Sequence, residues 1–209
     1  MNSTRVVEGV SSDVQASKDK LKELVRYASL SRLKAHTDSS EVEIKELDSG
    51  FRPGRILASN LVFILVSGEA MRLTFKIHFD TRVAKYLAYR IFGGKLPDDI
   101  SPKQAIDYFK EFGNLVAGSV VTLMAEINIE LGISLPLSTR GFYEVYSDYS
   151  EKQYPIITYS DFWALKVNGH DIFCSAQFEI LDRKPLENLV GYEIAEEGNI
   201  DDDAEMDFL

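Results

Sequence analysis

A chain of 209 residues with 45% hydrophobic and 11% aromatic content can bury a core, which excludes collagen-like, disulfide-framed and wholly disordered readings. Its 33 acids against 23 bases leave a net charge of −10, a field that repels phosphate backbones and anionic membranes and makes nucleic acid a poor partner. The excess is local: eight acids crowd between Glu193 and Asp207 with no base after Lys184, and without them the body is nearly neutral.

No repeat recurs at a fixed period and no linker divides the middle of the chain, so the expected division is simple. A flexible N-terminus occupies 1–10, one domain 11–185, and an acidic tail 186–209. Leu21, Leu24, Val25 and Ala28 fall at helical spacing behind Ser and Asp cap candidates, predicting a first helix from Asp13 to Leu33. Strands follow at Val42 to Leu47, Arg55 to Val66 and Met71 to Phe79, the last two joined by a turn at Ser67 to Ala70. In the third, Met71, Leu73, Phe75, Ile77 and Phe79 alternate with Arg72, Thr74, Lys76, His78 and Asp80, the period of a sheet covered on one face.

Thr81 to Phe92 reads as a short helix stopped by Gly93 and Gly94. Ser101-Pro102-Lys103-Gln104 then combines an N-cap, a proline at the first helical position and a capping-box glutamine, opening a helix to about Ile127. Extended segments are expected at Ile133 to Val145, Ile156 to Val167 and Ile172 to Leu181, with a hairpin turn at Asn168-Gly169. Strands on both sides of a helical middle, without strand–helix alternation, predict an α+β fold: a mainly antiparallel sheet layered with helices.

The helix opened by Ser101 carries the functional signal. At ~100° per residue, Ala105, Phe109, Phe112, Val116, Val120, Leu123 and Ile127 form one stripe that packs on the sheet. The opposite side gathers Asp107, Glu111, Asn114 and Gly118 at spacings of four, three and four, two carboxylates and an amide beside a position without a side chain. Taken alone, this ridge reads as an ordinary solvated face, and its geometry does not identify a site.

The run from Ala88 to Gly141, AYRIFGGKLPDDISPKQAIDYFKEFGNLVAGSVVTLMAEINIELGISLPLSTRG, resembles the signature region of the CheC/CheX/FliY family of bacterial chemotaxis phosphatases. That family carries an Asp or Ser, a Glu four residues later, an Asn three further on, and a Pro about twenty residues downstream; Asp107, Glu111, Asn114 and Pro136 match in order and spacing. Gly93-Gly94, Gly113-Asn114 and Ala117-Gly118 make the likeness strongest to the CheX members, which implies the CheX-like fold. CheC-type members carry a second copy on an earlier helix, but here Glu23 is followed three positions on by Arg26, so one site is expected.

The resemblance implies dephosphorylation of the aspartyl phosphate of a CheY-like response regulator. Asn114 would orient the attacking water and Glu111 would pair with the regulator's active-site lysine, while Asp107 and Gly118 would contact the substrate protein. No cofactor of its own is implied, magnesium residing on the regulator, and a homodimer through the sheet is expected. The competing expectation is a non-catalytic module of the same fold that docks a regulator or a flagellar-switch-like partner.

Other chemistries find little support. His36, His78 and His170 are scattered, so no metal ligand is assigned. Gly93-Gly94-Lys95 lacks the rest of a P-loop, and no serine sits at a nucleophile elbow. The aromatic stretch between Phe142 and Tyr159 reads as packing rather than a base-stacking platform. Cys174 stands alone, which fits a reducing compartment. The N-terminus has no apolar signal core, and the stretch Ile56 to Val66 is too short to span a bilayer, so a cytoplasmic protein without membrane insertion is expected.

Overall fold

The computed structural model describes residues 4–37, with side chains from 14 onward, together with 41–47, 58–140 and 156–194. The Tyr-rich segment up to residue 155, the acidic tail beyond Ile194 and the start of the strand expected from Arg55 lie outside the described residues.

Helix α1 spans Thr4–Thr37, longer than expected because no proline interrupts it and Gly9 is only a weak breaker. Strands β1 (Val42–Glu46), β2 (Asn60–Ser67) and β3 (Met71–Phe79) precede α2 (Thr81–Ala88), and α3 (Pro102–Glu126) precedes β4 (Gly132–Ile133), β5 (Leu137–Arg140), β6 (Ile157–Val167) and β7 (His170–Ile180). The strands form one seven-stranded sheet in the order β1-β6-β7-β3-β2-β4, with β5 also on β2, and every pairing is antiparallel. The α+β architecture is therefore as the pattern predicts.

The β6–β7 hairpin turns at Asn168 and Gly169, whose φ angles of 48° and 79° are the left-handed pair that a two-residue hairpin requires. The single extended segment expected from Ile133 to Val145 is divided within its described part. Pro136 has no N–H to give the ladder, and next to it the Ser134 hydroxyl accepts from Leu65 N at 3.0 Å in place of a backbone carbonyl.

A layer of helices covers one face of the sheet. Phe112 meets Phe75 edge-on with ring centroids 6.5 Å apart, and Phe109 stacks on Phe79 at 4.0 Å, so α3 lies over the β2–β3 half. Over the other half, α1 is fixed by Trp163 Nε1 donating to Ser29 Oγ at 3.1 Å. The alternation in β3 is real, but its polar side is covered too: Thr74, Lys76 and His78 are buried as well. A central strand loses solvent on both faces, which corrects the one-sided expectation. Packing also continues past residue 185, since Leu186 and Leu189 in the 3-10 turn Lys184–Leu189 are buried.

The element order contains a repeat that the residues do not display. A helix, a short strand and a hairpin occur as α1-β1-β2-β3, and the same order returns in α3-(β4, β5)-β6-β7. Each short strand is exchanged: β1 pairs with β6 of the other half, and β4 and β5 pair with β2. A shift of 88 positions superposes the buried faces of the two helices, carrying Ser17, Leu21, Leu24, Val25, Ala28, Ser29 and His36 onto Ala105, Phe109, Phe112, Gly113, Val116, Ala117 and Met124.

His36 is the titratable weak point of this packing. Its ring lies 4.4 Å from that of Tyr108 and 6.4 Å from that of Phe112, with both nitrogens buried and unbonded. Burial pushes its pKa down to about 4, against a smaller opposing pull from the Tyr108 backbone. A neutral native histidine contributes stability that is complete above the unfolded pKa near 6.5 and is lost as pH falls toward 4. Urea denaturation should show the wild type losing roughly 2 kcal/mol more than His36→Phe between pH 7.5 and pH 5; equal losses would contradict this account.

Candidate functional site

Helix α3 begins where its local signals direct. Ser101 Oγ accepts from Gln104 N at 3.2 Å, Gln104 Oε1 accepts from Ser101 N at 3.0 Å, and Pro102 opens the first turn. It ends as Asn128 turns left-handed, with φ 63°, and Ile129 N returns to the Met124 carbonyl at 2.9 Å. These ends fix which residues face the sheet. All members of the predicted stripe are buried except Leu123, which is half-buried. The buried arc is wider than the stripe, because α1 covers Tyr108 and Ser119 from the side, where Ser119 Oγ accepts from Arg32 Nε.

The arc that remains holds Asp107, Glu111, Asn114 and Gly118, all half-exposed. Asn114 Nδ2 donates to Glu111 Oε2 at 3.4 Å, close to the outer limit of a hydrogen bond, and makes no other hydrogen bond among the described residues. Asp107 and Glu111 make no ion pair there either. The ridge therefore presents an amide and two carboxylates whose bonding capacity is largely unspent. The two glycines differ in kind. A Cβ on Gly113 would lie 3.6 Å from Ile77 Cδ1 and 3.8 Å from Val62 Cγ1, so this position faces the sheet, whereas a Cβ on Gly118 would meet nothing within 4 Å.

Pro136 sits half-buried between β4 and β5, at the edge of the sheet. Among the described residues no group of three or more His, Cys, Asp or Glu could hold a metal ion. Cys174 is fully buried, which pushes its thiol pKa well up and keeps it from acting as a nucleophile. No helix among the described residues is long and apolar enough to cross a membrane.

The repeat exposes a second ridge that spacing alone passes over. The same shift of 88 relates Asp107 to Asp19, Glu111 to Glu23, Asn114 to Arg26 and Gly118 to Leu30. On α1 this ridge is internally satisfied. Lys22 pairs with Asp19 and Lys20 with Glu23, each at 3.1 Å. Arg26 holds Asp161 through two bonds of 2.7 and 2.9 Å and also reaches Glu46, and these partners raise its pKa against the desolvation that lowers it.

Set against solved structures, the fold has clear counterparts. A chemotactic CheC-like protein from Shewanella oneidensis superposes with a TM-score of 0.58 at 14% identity, over 75% of this chain and 96% of that one. The chain has the CheC/CheX-type fold. A crystal structure of the CheX–CheY–BeF3–Mg2+ complex from Borrelia burgdorferi matches with a TM-score of 0.55 at 15% identity, over 77% and 97% of the two chains. The FliM–SpeE complex from Helicobacter pylori matches with a TM-score of 0.54 at 10% identity, over 86% and 95%. No protein-family model and no curated protein sequence matches the chain.

Nothing in the packing requires glycine at 118, and an interior helical glycine costs about 0.5–1 kcal/mol relative to alanine. Gly118→Ala should therefore raise the unfolding free energy by roughly that amount in urea denaturation. A loss of stability instead would mean that the ridge is more tightly covered than its half-exposed residues indicate.

Proposed function

We propose that this protein is a cytoplasmic phosphatase that removes the phosphoryl group from the aspartate of a CheY-like response regulator, in chemotaxis or a related two-component pathway. The observation that carries the reading is the Glu111–Asn114 pair, held on an accessible ridge by a helix whose sides against the sheet and α1 are buried. The fold shared with CheX, in a structure solved together with CheY, supports the same reading.

An acyl phosphate is already reactive, so the enzyme's task is positioning. Asn114, placed beside the phosphorus, accepts from and orients a water in line with the leaving aspartate, and Glu111 pairs with the regulator's lysine to fix the register. Magnesium, held by the regulator, neutralises charge on the phosphoryl oxygens. Asp107 contacts the rim, and the bare backbone at Gly118 lets the partner approach closely. The resemblance also leads us to propose a homodimer through the sheet, whose outer strands among the described residues are β1 on one side and β4 with β5 on the other; light scattering would read its mass.

The FliM match gives a second reading some weight: a module that docks a regulator or switch component without hydrolysis. The test is to load candidate regulators with a small phosphodonor and follow phosphate loss with and without this protein. Acceleration by the wild type, reduced about 100- to 1,000-fold in Asn114→Ala with folding intact, is the expected result. Binding without acceleration would select the docking module, and full activity in Asn114→Ala would reject the mechanism.

A further inference from the structure

We propose that Lys103, Lys110 and Arg140 are the docking cations of this face, engaging the carboxylate-rich rim of the partner's phosphoaspartate pocket and governing recognition rather than the chemical step. The proposal rests on the reading of α3 as the face that meets a phosphorylated regulator.

The two ridges differ in how their charges are paired. Lys110 is the counterpart of Lys22 under the shift of 88, and Asp107 is the counterpart of Asp19. On α1 the pair is closed, with Lys22 Nζ 3.1 Å from Asp19 Oδ1. On α3 the same two residue types at the same spacing form no ion pair. Lys103, one turn toward the N-terminus from Asp107, is exposed and forms none among the described residues.

Helical geometry places Lys103, Lys110 and Asn114 along neighbouring rows. Lys103 and Lys110 lie about 10 Å apart along the axis and on the flank nearest Gly113, the side turned toward β2. The sheet supplies the third cation on that flank. Arg140 pairs with Asn60 and Ser138 with Val62, so Arg140 shares the sheet face of Val62, the residue beside Gly113. Asn60 pairs in turn with Phe79, which stacks on Phe109. Arg140 therefore stands at the sheet edge level with Phe109 and Lys110, exposed and in no ion pair among the described residues. Among the described residues, three cations without ion-pair partners thus border two carboxylates without them, in a body whose α1 ridge has neutralised its own charges.

A phosphoaspartate pocket that carries Mg2+ explains this arrangement. The ion keeps near-octahedral oxygen coordination drawn from carboxylates, waters and the phosphoryl group, so the pocket is rimmed by acids. Asp107 and Glu111 alone would be repelled by such a rim, and the adjacent cations offset that repulsion. Cations on the rim of an interface act chiefly on association rate and salt dependence, leaving the amide to the reacting centre.

The experiment uses a CheY-like receiver domain loaded with beryllofluoride and Mg2+ as a stable acyl-phosphate mimic, titrated by fluorescence anisotropy from 50 to 300 mM salt, beside turnover of the phosphorylated domain. Lys110→Glu and Arg140→Glu should each weaken binding at least tenfold and flatten the dependence of affinity on salt, with kcat at saturation within twofold of wild type. Lys110→Gln should fall between, and Lys184→Glu, the same charge change at a site remote from the ridge, should leave affinity unchanged. Reversals that bind within twofold of wild type, or that lower kcat at constant KM, overturn the assignment. Wild-type protein that binds the loaded domain without hastening dephosphorylation defeats the phosphatase reading alone, because the binding arm still reads the cations; a wild type that binds no receiver domain overturns both.

Discussion

A 25-residue helix laid on an antiparallel sheet and flanked by a second helix surrenders most of its circumference, and every feature of the candidate site follows from the arc left over. Phe109, Phe112 and Val116 go into the sheet, while Tyr108 and Ser119 are taken by α1. The rows through Asp107, Glu111, Asn114 and Gly118 keep access to solvent along the middle of the helix. The burial of the apolar side thus orients the polar side, since the helix cannot roll without exposing phenylalanines at about 1.5–3 kcal/mol each. Rigid support of this kind lets a short amide side chain serve as a positioning device.

The parts of this arrangement that are local in sequence were legible there. The capping box at Ser101 and Gln104, the hairpin turn at Asn168-Gly169 and the spacing of the ridge are written within a few residues of where they act. What depends on distant chain was not. The polar residues of β3 alternate as they would on an exposed face, and their burial is decided by the whole sheet rather than by the strand. The breadth of the buried arc on α3 is set by α1, roughly eighty residues earlier. Leu186 and Leu189 look like the start of an acidic extension until their contact with α1 is seen. The ridge could be located by spacing alone, but its reading as a phosphatase site came from the resemblance.

The internal repeat clarifies why one helix is a candidate and the other is not. Both carry Asp, Glu and a polar group at matching positions on an accessible row, so exposure and spacing do not separate them. Satisfaction does: Arg26, with Asp161 beneath it and Glu46 beside it, has closed its ridge into a set of ion pairs, whereas the Asn114 side chain has one long bond, to Glu111, among the described residues. A side chain already held by several partners gains little from another, and a side chain with open valences gains much.

The exchange of short strands between the halves has a consequence for how the molecule can come into being. Because β1 completes the hairpin of the later half and β4 with β5 completes that of the earlier half, neither half can satisfy its backbone alone. Synthesis delivers the first hairpin long before its missing edge exists, so the chain must wait, partly assembled, for sequence some seventy residues downstream. The closing step is mutual, which ties the two halves into one cooperative unit and makes a cut between α2 and α3 a route to two interlocking fragments rather than to two independent domains.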